Sequence, residues 1–169
     1  MKHILIIGGG VAGCSLAWQL AKKGINVKLL DKKENHSSFV AAGMINPIVF
    51  RRMNLSWRVD EFLPEAKTYY SELEKETGQT FFTPLTIRRF FASEQERNFW
   101  IKKQDEKEYK DFLTCQNNFD RPVDKSRNKW GSGIVKNGFR VNAKVCMDEL
   151  HKLLISKKIL KYEAFNHAR

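Results

Sequence analysis

The start of the chain constrains its fold more than any other part. Residues 2–7 form a largely apolar run that ends at glycine, which is typical of a buried parallel strand. Residues 11–23 follow with apolar side chains on one helical face, and Gly24 is a natural helix end. Residues 26–30 form a second short strand that leads into Asp31. The pattern predicts a strand–helix–strand unit and therefore an α/β fold.

The turn between the first strand and the helix matches the pattern G-x-G-x-x-G. Gly8 allows a tight turn, Gly10 leaves room for a diphosphate beside the backbone, and Gly13 lets the helix pack closely on the sheet. The helix start offers unpaired N–H groups and the positive end of the helix dipole to phosphates. The turn therefore predicts a dinucleotide-binding site, since the motif lies between a strand and a helix.

Asp31 lies at the end of the second strand, where it can accept hydrogen bonds from ribose hydroxyls. A carboxylate there would repel a 2′-phosphate, which argues against NADP. The motif alone does not separate FAD from NAD. Cys14, in the first turn of the helix, is either a reactive thiol or, more simply, a small packed residue.

The bulk composition sets outer limits on the function. With 169 residues and 42% hydrophobic residues, the chain can build a core. No apolar run approaches the roughly 20 residues that span a bilayer, so we expect a cytoplasmic protein. The three cysteines are far apart, which argues against a disulfide framework or a zinc site. The net charge of +11 fits a solvated basic surface, a nucleic-acid partner or an anionic ligand.

The rest of the chain predicts a mixture of helices and strands with recognisable starts and turns. We expect a helix over 57–77, with Ser56 as its N-cap and a kink or new start at Pro64, followed by strands over 80–83 and 85–92 around Pro84. A helix capped by Ser93 should run to about 108, and a hairpin over 133–141 should turn at Asn137–Gly138. The last elements expected are a helix capped by Asn142 that runs to about 156 and a strand over 159–165.

Three stretches together resemble the FAD-dependent amino-acid oxidase (DAO) family, which includes glycine oxidase, D-amino-acid oxidase and sarcosine oxidase. These are Ile4–Gly13, Asp31 and Ala41–Pro47, whose letters are AAGMINP. The Ala-Ala-Gly-Met part is most similar to glycine oxidase. The Asn-Pro that follows is also similar to the FAD-dependent oxidase domain of the bifunctional tRNA wobble-uridine modification enzyme. Residues 138–142 and the helix after them resemble the family's second nucleotide-domain segment.

The resemblance implies FAD as cofactor and an amine or amino acid as the small-molecule substrate. In the family, the flavin takes a hydride from the carbon next to the amine, and the protein mainly orients the substrate. The implied cofactor-binding residues are Gly8, Gly10, Val11, Ala12, Gly13, Asp31, Lys32, Ala42, Gly43 and Met44. Ala42, Gly43 and Met44 would run beside the diphosphate and the ribityl chain and under the flavin ring. The sequence assigns no catalytic residue and no metal ligand.

The resemblance also implies a division into domains. Residues 1–50 and 138–169 would form an incomplete Rossmann-like FAD-binding domain, and residues 51–137 would form part of a substrate domain. Family members are much longer, so only their N-terminal half is covered, and we expect an open sheet edge with exposed apolar faces. We also expect this chain alone to turn over poorly.

Two alternatives stay open at this point. The chain is either part of a FAD-dependent tRNA-modification oxidase, which its positive charge favours, or a non-catalytic nucleotide-binding fragment. The fragment would need a second chain, as a homo-oligomer or with the missing C-terminal half.

Overall fold

The structure, a computed structural model, describes residues 3–34, 37–115 and 129–166. By chain order the elements are β1 (His3–Ile7), α1 (Val11–Lys22), β2 (Asn26–Asp31), α2 (Ser37–Val40), β3 (Met44–Ile45), β4 (Ile48–Val49), β5 (Asn54–Leu55), α3 (Val59–Thr77), β6 (Phe82–Phe90), α4 (Glu94–Gln104), β7 (Leu113–Cys115), β8 (Ser132–Val141), α5 (Ala143–Ser156) and β9 (Leu160–Tyr162).

The chain divides into two compact units. The first unit takes in the described residues of 1–43, 71–81 and 141–169, and the second takes in those of 44–70 and 82–140. Both α3 and β8 therefore begin in the second unit and end in the first. The functional domains expected from the sequence, with bounds at residues 50 and 138, stay a prediction.

The first unit is built on a parallel sheet in the order β1-β2-β9. The predicted strand–helix–strand is present, and Gly24 ends α1 with φ of +71° and a hydrogen bond from its N–H to Ala21 O. On β2, Val27, Leu29 and Asp31 alternate with exposed or half-buried neighbours and are themselves buried. The α/β prediction is confirmed for this unit.

Strand β1 lies at the edge of this sheet within the described residues. Its Leu5 and Ile7 side chains are 51% and 54% exposed. Strands of parallel sheets are normally covered on both faces. The arrangement agrees with the expected open edge of an incomplete nucleotide-binding domain.

Two of the predicted helix caps are confirmed. The Ser93 hydroxyl accepts a hydrogen bond from Glu96 N at 3.1 Å, and Asn142 Oδ1 accepts one from Val145 N at 3.3 Å. Each bond satisfies an N–H group that has no partner inside its helix. The Asn142 cap starts α5, which leads to β9 and so to the carboxyl end of the sheet in the first unit.

The second unit has a sheet in the order β3-β8-β6, with β7 also paired to β8, and a small hairpin of β4 and β5. Its core is an apolar cluster of Ile48, Met53, Ile87, Phe91, Trp100, Tyr109, Leu113 and Val135. Gly133 of β8 lies directly against Trp100, since a Cβ there would come within 2.1 Å of the indole. The sheet therefore has no space for a side chain at this position.

The predicted break at Pro84 is wrong, because β6 runs through it from Phe82 to Phe90. Proline has no N–H group to donate, so it disrupts a strand that is paired on both sides. Strand β6 lies at the edge of its sheet among the described strands, and an edge strand pairs on one side only, which is where proline is tolerated in sheets. Edge position therefore explains how one strand replaces the predicted two.

The predicted hairpin at Asn137–Gly138 is also wrong. Asn137 has the left-handed φ of +58° that such a turn needs, yet it lies inside the single strand β8. Its Nδ2 donates to Asp111 O at 3.0 Å, and Lys136 N donates to Phe112 O at 2.8 Å. These bonds to another segment take up the polar groups, so the left-handed residue distorts a strand instead of reversing it.

The start of α3 differs from the prediction as well. The Ser56 hydroxyl donates to Asn46 O at 3.0 Å instead of capping the helix, which begins at Val59. Pro64 lies inside this one helix and starts no second one. Since Pro64 is within the first two turns, its missing N–H group removes only one early helical bond.

Candidate dinucleotide-binding site

A cavity of about 420 Å³ lies at the carboxyl ends of β1 and β2 in the first unit. Open α/β sheets bind nucleotides at the carboxyl ends of their strands. The lining residues come from the glycine turn, the end of β2, the start of α2 and the segment after β9: Ile7, Gly8, Gly9, Gly10, Leu30, Asp31, Lys32, Glu34, Ser37, Ser38, Glu163, Ala164 and Phe165.

The glycine turn adopts a backbone conformation that is available mainly to residues without a side chain. Gly8 has φ of +103°, a conformation that side chains rarely adopt, and its N–H donates to Leu30 O at 2.8 Å. A Cβ on Gly13 would come within 2.0 Å of Gly8 O, so the first turn of α1 packs directly on the end of β1. The roles that the motif predicts for Gly8 and Gly13 therefore have a geometric basis here.

Gly9, between the first two motif glycines, is closely packed as well. A Cβ on Gly9 would lie 2.8 Å from Asp31 Cγ, a distance that real side chains do not tolerate. The close approach lets Gly9 N donate to Asp31 Oδ1 at 3.1 Å. The turn and the end of β2 are thereby joined by a hydrogen bond to a carboxylate.

Asp31 is 5% exposed and lies in the cavity wall. Its second oxygen, Oδ2, accepts from Lys33 N at 3.2 Å. A carboxylate oxygen has two lone pairs, so each oxygen that holds a backbone N–H can still accept from a ligand hydroxyl. The position suits the binding of a diol such as a ribose.

The start of α1 faces the same cavity. Gly10 is the N-cap residue, with φ of −73° and ψ of −179°, and no side chain caps the helix there. Val11 N instead donates to Ser38 Oγ at 3.1 Å. A Cβ on Gly10 would come within 3.3 Å of the same hydroxyl. The helix N-terminus, the bare Gly10 and Ser38 thus form a small polar cradle of the kind that binds phosphate.

Behind the turn lies a buried polar cluster. The thiol of Cys14 donates to Gly9 O at 3.1 Å, and His151 Nε2 lies 2.6 Å from the same oxygen. Burial, with a smaller contribution from the Asp31 charge, raises the pKa of Cys14 to about 12. The alternative of a reactive thiol therefore does not fit, because the thiolate is the nucleophilic form.

The cavity brings together some of the predicted site residues and not others. Gly8, Gly10, Asp31 and Lys32 line it. The lining does not include Val11, Ala12, Gly13, Ala42, Gly43 or Met44. Val11 and Gly13 lie in the first turn of α1, with the contacts described above, and Ala12 is exposed beside them.

Gly43 makes a close contact of a different kind. Its φ is +68°, its carbonyl accepts from Val141 N at 2.8 Å, and a Cβ would come within 1.9 Å of Val141 O. Ala42 is exposed in the first unit, and Met44 is 53% exposed on β3 in the second. The cofactor roles of these three residues stay a prediction.

Sequence reasoning missed several residues of this site. Ser37 and Ser38 precede the small-residue stretch, and Glu163, Ala164 and Phe165 follow β9 directly. The available signal was the strand predicted over 159–165. Because β9 already ends at Tyr162, the next residues lie at the carboxyl edge of the sheet beside Asp31, with Glu163 N donating to Asp31 O at 2.8 Å.

Comparison with known proteins identifies the family. Residues 3–157 match the FAD dependent oxidoreductase (DAO) family. The chain belongs to this family. Its members depend on FAD, which agrees with the cofactor implied by the sequence.

Individual relatives cover the chain to different extents. An uncharacterized oxidoreductase of Bacillus subtilis, YurR, is 35% identical over 74 residues, which is 43% of this chain and 19% of that protein. Glycine oxidase from Bacillus cereus superposes with a TM-score of 0.64 at 20% identity over 92% of this chain. L-proline dehydrogenase from P. horikoshii superposes with a TM-score of 0.69 at 15% identity over 95%.

Those two solved structures are much longer than this chain, which covers 44% of each. At these identities the likeness establishes the fold alone. In the described part of the chain, no helix is both long and apolar enough to cross a bilayer.

Proposed function

We propose that the chain binds the ADP half of FAD in the cavity at the carboxyl ends of β1 and β2, and that its protein oxidises the C–N bond of an amine or amino acid. The observation that carries this proposal is the joint placement of the bare turn at Gly8–Gly10, the N-terminus of α1 and the Asp31 carboxylate around one cavity. Glycine oxidase and L-proline dehydrogenase, whose folds are similar, carry names that describe substrates with such a bond.

The residues present fit the ADP half of the cofactor. Gly10 has no side chain between the backbone and the cavity, and the start of α1 supplies positive dipole charge for a diphosphate. Asp31 accepts from the ribose hydroxyls while it holds Gly9 and Lys33 in place. When bound, flavin supplies the hydride acceptor, and this chain's residues hold and orient it.

The acidic groups of the cavity determine which nucleotide fits. Asp31, Glu34 and Glu163 all line it, and Lys32 is its one lining lysine among the described residues. Lys32 pairs with Glu34 at 3.5 Å, and the three carboxylates outnumber the one ammonium group, so the charge of the lining is net negative. A 2′-phosphate beside the Asp31 carboxylate would meet like charge, so we expect NADP to be excluded.

The first experiment measures nucleotide binding by the purified chain. Flavin fluorescence during titration with the protein gives the affinity for FAD. Competition with ADP, NAD and NADP shows which part of the dinucleotide the protein recognises. We expect ADP to compete, NADP not to compete, and NAD to compete less well than FAD. Absence of FAD binding, or equal competition by NADP, would contradict the proposal.

The second experiment addresses the reaction. The FAD-loaded chain is mixed anaerobically with a panel of amino acids and secondary amines while the absorbance of oxidised flavin is followed. The chain covers less than half of the solved structures above, so we expect binding without efficient reduction. Rapid bleaching by one amine, followed by peroxide formation in air, would overturn the expectation that this chain alone turns over poorly.

A second candidate rests on the charge of the chain. A net charge of +11 favours a polyanionic partner, and tRNA is the partner that the Asn46-Pro47 resemblance implies. Binding of tRNA would weaken steeply with salt, because neutralised phosphates release counterions. This candidate would be eliminated if the affinity of the chain for tRNA did not change with salt concentration. It would also be eliminated if that affinity were no greater than the affinity of a basic control protein for tRNA.

A further inference from the structure

A buried histidine of α5 contacts the glycine turn and is not among the residues that line the cavity. His151 is 5% exposed, its Nε2 lies 2.6 Å from Gly9 O, and its Nδ1 lies 3.0 Å from the Tyr162 hydroxyl. The Phe39 ring packs against the imidazole at a centroid distance of 5.2 Å and an angle of 87°. A carbonyl oxygen only accepts hydrogen bonds, so the proton of this contact lies on Nε2.

The bond to Gly9 O fixes the direction of the next N–H group. A peptide unit is planar and trans, so the carbonyl of Gly9 and the N–H of Gly10 point in opposite directions. His151 Nε2 and Cys14 Sγ both hold the carbonyl on the buried side of the turn. The Gly10 N–H therefore points away from them, and Gly10 lines the cavity.

The opposite orientation of this peptide would be unfavourable for a nucleotide. A reversed Gly9–Gly10 peptide would present a carbonyl oxygen to the diphosphate, with repulsion in place of a hydrogen bond. Glycines are the residues whose peptides reverse most easily, since they lack a Cβ. The turn thus needs a buried donor to hold Gly9 O, and His151 is placed to supply one.

We propose that His151 is a positioning residue for the nucleotide site, which holds the Gly9–Gly10 peptide with its N–H toward the bound diphosphate. This rests on the proposed function, because it presumes a dinucleotide in the cavity. His151 is not among the residues that line the cavity, so it acts through the turn and not by touching the ligand.

Tyr162 completes the arrangement. Burial, with a smaller contribution from the Asp31 charge, raises the pKa of Tyr162, so its hydroxyl keeps its proton at neutral pH. That hydroxyl can donate to Nδ1 when the proton of the neutral ring lies on Nε2. The Lys33 ammonium lies over the Tyr162 ring, 4.9 Å from its centre. The neighbouring groups thus favour the tautomer that the turn requires.

The test compares two substitutions at position 151. H151Q keeps an N–H donor near the position of Nε2, whereas H151L removes it at similar bulk. We expect the Kd for FAD to rise about tenfold in H151L, the loss of one hydrogen bond, and to stay within about threefold of the wild type in H151Q. Equal affinity of H151L and the wild type would overturn the proposal, as would equal losses in the two variants.

A control separates positioning from general stability. Leu154 is also buried on α5, and L154V removes one methylene group while it leaves His151, the donor to Gly9 O, unchanged. We expect L154V to lower the free energy of unfolding and leave the Kd for FAD unchanged. A loss of affinity in L154V as large as in H151L would show that the effect is only structural and would contradict the proposal.

A spectroscopic measurement tests the positioning role of His151 even if no nucleotide binds. Nitrogen-15 NMR of the His151 ring should place a proton on Nε2, and H151L should shift the amide signals of Gly9 and Gly10. Failure of the wild type to bind FAD would then count against the proposed function alone. A ring protonated only on Nδ1, or unchanged glycine amides in H151L, would overturn the positioning role.

Discussion

Asp31 provides the sharpest test of how the turn is held, because the two oxygens of one buried carboxylate accept from two backbone N–H groups. The bonds reach Gly9 N at 3.1 Å and Lys33 N at 3.2 Å, and the side chain is 5% exposed. In D31N the remaining side-chain oxygen still accepts a hydrogen bond from one backbone N–H. The new NH2 group faces the other backbone N–H, so two donors oppose each other and that hydrogen bond is lost. Loss of a hydrogen bond to a charged group costs about 1.5–3 kcal/mol, so we expect the free energy of unfolding to fall by about 2 kcal/mol.

The measurement is urea unfolding at neutral pH, followed by circular dichroism, with hydrogen exchange at the Gly9 and Lys33 amides to locate the loss. D148N is the matched control, since Asp148 pairs with Lys144 on the exposed side of α5 and such a pair contributes only about 0.3–0.5 kcal/mol. The reasoning is refuted if D31N loses no more stability than D148N, or if neither amide exchanges faster.

Three further predictions concern Gly13, Glu76 and the three cysteines. G13A should lower the free energy of unfolding by about 1–3 kcal/mol, because its Cβ would come within 2.0 Å of Gly8 O; a fully stable G13A would show that α1 can shift away. Burial opposes ionisation of Glu76, but hydrogen bonds from Lys157 and Trp18 outweigh the effect of burial and lower the pKa of Glu76. The stability that the Glu76 carboxylate adds is therefore present above pH 4.5 and is lost as the pH falls. The difference in unfolding free energy between wild type and E76Q should therefore narrow in acid, and a constant difference would contradict this. Because burial raises the pKa of Cys14 and Cys146 to about 12, iodoacetamide at about pH 8 should modify Cys115 first, as peptide mass spectrometry would record.

The parts of the fold that the sequence predicts are those with short-range causes. The strand–helix–strand follows from one apolar run, one helical face and Gly24, all within consecutive residues. The caps at Ser93 and Asn142 are also local, because each side chain bonds to an N–H three residues later. Such features need no knowledge of what the rest of the chain does.

The wrong predictions have causes that lie elsewhere in the chain. Asn137–Gly138 has the composition of a turn, but bonds from Asn137 and Lys136 to residues 111 and 112 keep it inside a strand. Pro84 is tolerated because β6 lies at a sheet edge, and strand order is not visible in local sequence. Local propensity was outweighed by tertiary pairing in both cases.

The candidate site divides in the same way. Gly8, Gly10 and Asp31 could be predicted because a motif with fixed spacing names them, whereas the contribution of Ser38 depends on the contact that α2 makes with the start of α1. His151 had no such signal, since 142 residues separate it from Gly9.

Gly9 is the residue through which these separate parts act on one peptide. Its N–H is held by Asp31 of β2, and its carbonyl is held by His151 of α5 and Cys14 of α1. The motif leaves this position unspecified, yet a Cβ here would lie 2.8 Å from Asp31 Cγ. Strand β2 thus holds the N–H group of Gly9, and helices α5 and α1 hold its carbonyl. These bonds within the protein restrict the conformations of the turn, which lowers the free energy that a bound ligand must spend on ordering it.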